Sequence, residues 1–313
     1  MISIIFPVFN EENNLGELYK RLDAVASNFR GQEFEFIFVD DCSADKTPVV
    51  LAQLHQRDQR VRTIRFARNC GSHAAIACGL LHCQGEIAVI LAADLQDPPE
   101  VIAQLMGEWQ KGNKIVWGVR KDRAGERTSV KLLSKLYYAL MNWLTTVKMP
   151  PSGADIFLVD RTVIDAFGQV TEKHTSVFMA LAWLGFKQSQ IDYVKERRYS
   201  GQSKWTMRKK IKLTLDSLLA FSDIPIRYMS VLGLLTAFLG FIYAAYVLWS
   251  FVNGAPVEGW SSLMIAILVV GGVQMMMLGI LGEYLWRTYD ESRKRPRYVI
   301  ESMLGVQHSH LKV

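Results

Sequence analysis

Two stretches near the C-terminal end limit what this chain can be. Tyr228 to Val252 runs for 25 residues without a charge, and Trp260 to Gly282 for another 23. Each exceeds the ~20 residues that a helix needs to cross a bilayer core. Both are rich in Leu, Ile, Met and Gly, and Tyr228, Trp249, Trp260, Tyr284 and Trp286 stand near their ends, where amphipathic rings prefer the membrane interface. Two spans are expected, joined by a short external loop that holds Glu258 and neither Lys nor Arg. Arg208, Lys209, Lys210, Lys212 and Arg227 flank the pair on one side, and Arg287, Arg293, Lys294, Arg295 and Arg297 on the other. Basic flanks stay in the cytosol, so both ends of the hairpin are expected there. With Gln274 as the interior polar residue, the pair offers no polar path for a channel or transporter. Met275, Met276 and Met277 read as lipid-facing or helix-packing filler.

The net charge of +6 is concentrated just before the first span. Between Lys195 and Lys212, eight basic residues (Lys195, Arg197, Arg198, Lys204, Arg208, Lys209, Lys210 and Lys212) face a single Glu196. From Met207 onward, Ile211, Leu215, Leu218 and Leu219 recur at helical spacing. This is the pattern of an amphipathic helix lying on anionic lipid and ending near Pro225, with roughly 1 kcal/mol of attraction per basic residue. Beside two spans, that reading displaces nucleic-acid binding. Cys42, Cys70, Cys78 and Cys83 lack CxxC or metal-ligand spacing and read as reduced cytosolic thiols. The N-terminus opens on a strand-like run without a basic n-region or cleavage site, so export of the first two thirds is not expected.

That portion alternates buried strands with amphipathic helices. Apolar runs at Ile2 to Val8, Phe34 to Val39, Val61 to Phe66 and Glu86 to Ala92 are separated by helical spacings such as Leu15, Leu18, Leu22 and Val25. Such alternation predicts a mostly parallel sheet covered on both faces, with ligands beyond the carboxyl ends of its strands. Glu11, Asp40, Asp41 and Asp94 each follow a strand, so acids from distant positions are expected to converge on one crevice. Turn or helix-cap duty explains any one of them but not the set. Neither GxGxxG nor GxxxxGK[ST] occurs, which argues against dinucleotide oxidoreductases and kinases. Acids that meet a diphosphate imply a divalent cation between them.

Six segments then carry a resemblance. Pro7-Val8-Phe9-Asn10-Glu11, Val39-Asp40-Asp41-Cys42-Ser43-Ala44-Asp45, Arg68-Asn69-Cys70-Gly71, Ala93-Asp94-Leu95-Gln96-Asp97-Pro98-Pro99-Glu100, Gly153-Ala154-Asp155 and Gly201-Gln202-Ser203-Lys204-Trp205 occur in this order. The chain resembles the polyprenyl-phosphate glycosyltransferases, family 2 enzymes of GT-A fold related to dolichyl-phosphate mannose synthase and the bactoprenol glucosyltransferases. The likeness continues through both spans to Gly282-Glu283-Tyr284 and Arg295-Pro296-Arg297-Tyr298.

The resemblance implies that Pro7, Phe9, Glu11 and Asp41 hold the nucleoside of a sugar nucleotide, with Asp41 accepting from the base. It places Asp94 and Gln96 at the diphosphate and at Mg²⁺ or Mn²⁺, and Arg120 near the donor sugar and phosphates. Lys131 and Ser134 fall at the acceptor phosphate, Ser203 and Lys204 on a loop that closes over it, and Asp155 at the proposed base. It also implies a homo-oligomer. Two positions depart from the pattern. Ala92 stands where relatives carry the first acid of Asp-x-Asp, leaving the metal one carboxylate fewer. Phe157 stands where relatives carry Arg after Gly-Asp-Phe, removing a cation near the phosphates, and Arg198 is a candidate replacement. His73 reads equally as a donor contact or as a histidine satisfied by backbone at a helix start. His308 and His310 read as solvated tail.

The chemistry follows from the acceptor. A phosphate monoester has its second pKa near ~6 and is mostly dianionic at neutral pH, so transfer needs alignment and charge neutralisation more than a strong base. The expected architecture is a cytosolic GT-A domain over 1–194, a basic loop and interfacial helix over 195–227, two membrane helices over 228–286 and a cytosolic tail over 287–313. The expected reaction is inverting transfer of a hexose, glucose from UDP-glucose foremost, to undecaprenyl phosphate on the cytosolic leaflet of a bacterial inner membrane. A glycosyltransferase with another lipid acceptor, such as a diacylglycerol, is one rival. A degenerate nucleotide-sugar-binding or assembly protein, favoured by Ala92, is the other.

Overall fold

A computed structural model describes residues 1–29, 31–120, 154–170, 172, 176–196, 199, 224–253 and 259–306. Lys131, Ser134, Arg198, Ser203, Lys204 and nearly all of the expected interfacial helix lie outside them. The described chain forms two units, 1–217 with 296–313, and 218–295.

The first unit is built on β1 (Ile2–Val8), α1 (Leu15–Asn28), β2 (Phe34–Asp40), α2 (Thr47–Arg57), β3 (Val61–Phe66), α3 (Ser72–His82) and β4 (Ile87–Ile90). α4 (Ile102–Gln110), β5 (Ile115–Arg120), β6 (Ile156–Asp160), α5 (Arg161–Phe167), α6 (Val177–Trp183) and β7 (Gln188–Tyr193) follow. Among the described residues the strands make one sheet in the order β7-β5-β6-β4-β1-β2-β3-β8, where β8 is Ile300–Leu304. β1 pairs in parallel with both β2 and β4, and β2 with β3. The chain thus steps outward from β1 to β3, then returns to the other side of β1. That reversal is the switch point at which α/β sheets open a crevice.

Strand burial follows from composition. Ile2, Ile4, Phe6 and Val8 alternate onto the face covered by Leu15, Leu18 and Leu22 of α1, as the period of two requires. Phe6 and Phe38 stack at 4.9 Å between ring centroids. On the opposite face α3 lies so close that a Cβ at Gly79 would fall 2.3 Å from Ile5 Cγ2. Only glycine permits that approach without displacing β1.

Two features differ from expectation. β6 runs antiparallel to its neighbours β4 and β5. The segment expected as a C-terminal tail instead supplies β8, antiparallel to β3 at the sheet edge. It is fastened by Tyr298 stacked on Phe66 at 4.9 Å and by the Ala67 N–H donating to Val299 O at 2.9 Å.

The second unit holds α7 (Ile224–Val252) and α8 (Trp260–Ser292). Within them Ile226–Ser250 and Leu263–Ser292 are long and apolar enough to cross a membrane, each holding an 18-residue stretch whose mean hydropathy is 2.2 and 2.3 respectively. Met275 and Met276 are exposed, whereas Met277 packs across Gly233 of α7, its Cε 3.0 Å from where a Cβ there would stand.

Candidate active site

The loops after β1, β2, β3 and β4 meet at one edge, and their backbone marks the place. Asn10, Cys42 and Leu95 have φ of 53°, 62° and 58°, a region that side chains avoid and that concentrates at functional turns. Each lies within five residues of the end of β1, β2 or β4.

The nucleoside side is a web of backbone donors on fixed acceptors. Asp40 and Asp41 are both buried. Asp40 accepts the Ser43 N–H at 2.9 Å and pairs with Arg65 at 2.5 Å. Asp41 accepts the Cys70 N–H at 2.6 Å on one oxygen and the Gly71 N–H at 2.9 Å on the other. It therefore clamps the turn that starts α3, where Gly71 at φ 90° tolerates the conformation a side chain would resist. The sequence expectation of a base acceptor meets a carboxylate with standing structural work. Asn10 and Glu11 are tied to the β2 loop through Ser43 Oγ at 2.8 Å and Thr47 Oγ1 at 2.9 Å. The Glu11 carboxylate accepts from Asn14 Nδ2 at 2.5 Å. Pro7 and Phe9 are half-buried beside them.

The turn after β4 carries Asp94, whose carboxylate accepts the Gln96 N–H at 3.1 Å. Asp97 is almost wholly enclosed and is committed elsewhere. It accepts from the Tyr193 hydroxyl at 2.6 Å and lies 3.5 Å from the Lys195 ammonium. Both contacts fall on Oδ1, and its buried Oδ2 has no hydrogen-bond partner among the described residues. Among the described residues no group of three His, Cys, Asp or Glu is arranged to hold a metal. The chain offers Asp94 as a single carboxylate, a donor set that fits a divalent cation only when substrate phosphates supply further oxygens.

Asp155 opens β6 and faces Arg120 at the end of β5. The Arg120 guanidinium pairs with its carboxylate, the Lys195 ammonium lies 3.3 Å from the same oxygen, and the Tyr193 hydroxyl 3.4 Å. Burial works to raise its pKa, but the Arg120 hydrogen bond and the Lys195 charge outweigh it and hold the carboxyl below the usual aspartate value. Burial moves Asp97 the other way, upward, against the pull of Lys195. Tyr193 is pushed up by burial and by the Asp97 and Asp155 charges, so it stays protonated and donates. Tyr193 and Lys195 are the members of this cluster to which sequence reasoning gave no role in the site.

Phe157, the second departure, is completely buried and packs on Phe178 at 5.0 Å and Trp117 at 5.5 Å, so in this chain position 157 belongs to the core. The cations that meet Asp155 are Arg120 and Lys195. His73 takes the backbone-satisfied role. Its Nδ1 accepts the Val177 N–H at 3.4 Å, the ring meets Phe178 edge-on, and burial lowers its pKa to about 4.

Comparison with known proteins decides the family. The model of glycosyl transferase family 2 matches residues 3–168, which span the crevice from β1 through Asp155. The chain belongs to glycosyl transferase family 2. A second model, the GtrB C-terminal hairpin, matches residues 224–287, the two long helices. The chain is 36% identical to the uncharacterized glycosyltransferase YkcC of Bacillus subtilis (strain 168), over 99% of this chain and 96% of that one. It is 34% identical to the bactoprenol glucosyl transferase of Shigella phage SfV, over 96% and 98%. A crystal structure of a mycobacterial protein covers 71% of this chain and 76% of its own at TM-score 0.50 and 20% identity, a likeness of fold alone. The family 2 domain carries the expected GT-A-like fold, and the expected class of enzyme, a glycosyltransferase, stands with it.

Proposed function

We propose that this glycosyltransferase moves a hexose, glucose from UDP-glucose foremost, to a polyprenyl phosphate at the cytosolic face of a bacterial inner membrane, inverting the anomeric carbon. The observation that carries this reading is the crevice itself, where Asp41, Asp94 and Asp155 converge from β2, β4 and β6 beside Arg120, in a chain that also holds a hairpin long enough to span a membrane. The bactoprenol glucosyl transferase relatives support the glucosyl group and the polyprenyl acceptor.

In this mechanism Pro7, Phe9, Glu11 and Asp41 seat the nucleoside, while Asp94 and Gln96 meet the diphosphate. A divalent cation on Asp94 would neutralise charge on the leaving nucleoside diphosphate. The acceptor's phosphate oxygen, largely dianionic near neutral pH, attacks the anomeric carbon opposite the leaving group. A new carbon–oxygen bond forms as the bond to the diphosphate breaks. Asp155, held ionised by two cations, is a weak proton acceptor, and its work is to hold Arg120 and Lys195 where phosphate charge gathers. Lys131, Ser134, Ser203 and Lys204 complete the acceptor side in this reading.

The side of the membrane has independent support. β8 follows the hairpin in the chain and pairs with β3, so if α7 and α8 both cross, the strands before and after them share one side. The basic flanks favour the cytosol for that side.

The test is transfer of radiolabelled sugar from a panel of UDP- and GDP-sugars to undecaprenyl phosphate or diacylglycerol by the purified protein, with Mg²⁺, Mn²⁺ and EDTA arms. A metal-dependent lipid-linked sugar on the prenyl acceptor is expected. Nucleotide binding without turnover would move the reading to the degenerate protein that Ala92 favours.

A further inference from the structure

Tyr193 closes β7, and Lys195 stands two positions beyond it. In extended chain such positions share a face, and here they share their partners as well. The Tyr193 hydroxyl donates to Asp97 Oδ1 at 2.6 Å and reaches Asp155 Oδ2 at 3.4 Å. The Lys195 ammonium lies 3.5 Å from that same Asp97 oxygen and 3.3 Å from that same Asp155 oxygen. The next residue continues the seam, the Glu196 N–H donating to Gln96 O at 2.8 Å, while its carboxylate meets Arg21 at 2.9 Å. Arg21 also pairs with Glu100 at 2.7 Å. The end of β7 is therefore fastened along the whole turn that carries Asp94, Gln96 and Asp97.

We propose that Lys195 is a positioning residue for glycosyl transfer: its shared ammonium fixes the separation between the diphosphate-side turn and Asp155. The inference deepens the proposed function and rests on it. A carboxylate pair without a cation between them repels, and an ammonium with three donors can serve both acids at once. With a neutral side chain at 195, Asp155 stays with Arg120, while the turn keeps Tyr193 and loses its charged tie. The nucleoside contacts at Asp41 lie on other loops and are untouched. The loss therefore falls more on turnover than on donor binding, which keeps its nucleoside contacts.

The experiment compares the full-length wild type with Lys195→Met, Lys195→Arg and Tyr193→Phe. It measures the UDP-glucose Kd by calorimetry, kcat for transfer to undecaprenyl phosphate, and thermal midpoint. Lys195→Met is expected to lower kcat by about 100-fold, the scale of a small misplacement of reacting groups, with Kd within about threefold. Lys195→Arg, which keeps the charge but not the ammonium's geometry, should recover kcat to within about tenfold of wild type. Unchanged kcat in Lys195→Met, or equal losses of kcat and donor binding, would overturn the inference. If Lys195→Met shows no thermal transition, Tyr193→Phe decides, since it keeps the ring and loses only the shared hydroxyl. A kcat drop at constant Kd supports the seam, and wild-type kcat overturns it. A wild type that binds UDP-glucose but transfers nothing overturns the glycosyl-transfer reading beneath, a failure distinct from any confined to the variants.

Discussion

The crevice has two acidic halves made from one residue type and held in opposite ways. On the side of β2 Asp41 is gripped by two backbone N–H groups and Asp40 by a third, with Arg65 beside it. On the side of β6 Asp155 and Asp97 are gripped, among the described residues, by side chains: a guanidinium, an ammonium and a phenol. Backbone donors cannot leave without unmaking a loop, whereas side-chain cations can exchange one anion for another. In the proposed reaction the first half suits a constant nucleoside and the second an incoming phosphate.

Substitutions can break this contrast. Asp155→Asn should lower kcat by about 1,000-fold with a thermal midpoint close to wild type, read from transfer assays beside calorimetric melting; near-normal turnover removes Asp155 from the catalytic machinery. Because its carboxyl titrates below its ordinary value, its stabilising charge is present above that value and is lost as pH falls through the folded one. A limb in the pH–rate profile near neutrality therefore belongs to the acceptor phosphate and should persist in Lys195→Arg. Asp94→Asn should raise the Mn²⁺ concentration for half-maximal rate by about 10- to 100-fold, in a rate that EDTA abolishes and Mn²⁺ restores. Asp41→Asn, which cannot accept both N–H groups with the same strength, should cost about 1–2 kcal/mol of stability and raise donor KM more than it lowers kcat. A fall in kcat alone would erase the difference between the halves. The smallest effect concerns His73, whose folded pKa of about 4 lies below its ordinary value. Its stabilising neutral form is fully present above about 6.5 and is lost as pH drops toward 4. His73→Asn, which keeps an acceptor for the Val177 N–H, should flatten the fall of thermal midpoint over that window.

The sequence made the first half easier to read than the second. β1, β2 and β4 are buried on both faces and announce themselves as apolar runs, so the acids that follow them could be placed without coordinates. β7 reads Gln-Ser-Gln-Ile-Asp-Tyr and is half-exposed at the sheet edge, with no such signature. Its pairing with β5 is what carries Tyr193 and Lys195 to Asp155. That contact joins segments far apart in the chain, and no local pattern encodes it. The available hint was the polar alternation Tyr193-x-Lys195 leaving a strand toward a glycine-containing loop. Phe157 teaches the converse, since a motif position that suggested a lost cation proved to be a core residue between Trp117 and Phe178. β8 escaped notice because five half-exposed residues beyond a membrane hairpin look like a tail.

That last strand bears on the order in which the molecule can be assembled. β3 bonds to β2 on one side and to β8 on the other, and Thr63 must wait for Leu304 before the ladder is complete. A ribosome delivers the four buried strands first, both apolar helices next and β8 last. Until then the outer edge of β3 stands unpaired, the condition under which sheets recruit stray strands. Arg65 likewise lacks Glu301 until that moment. Completion of the β3 edge is thereby deferred until synthesis has passed the hairpin.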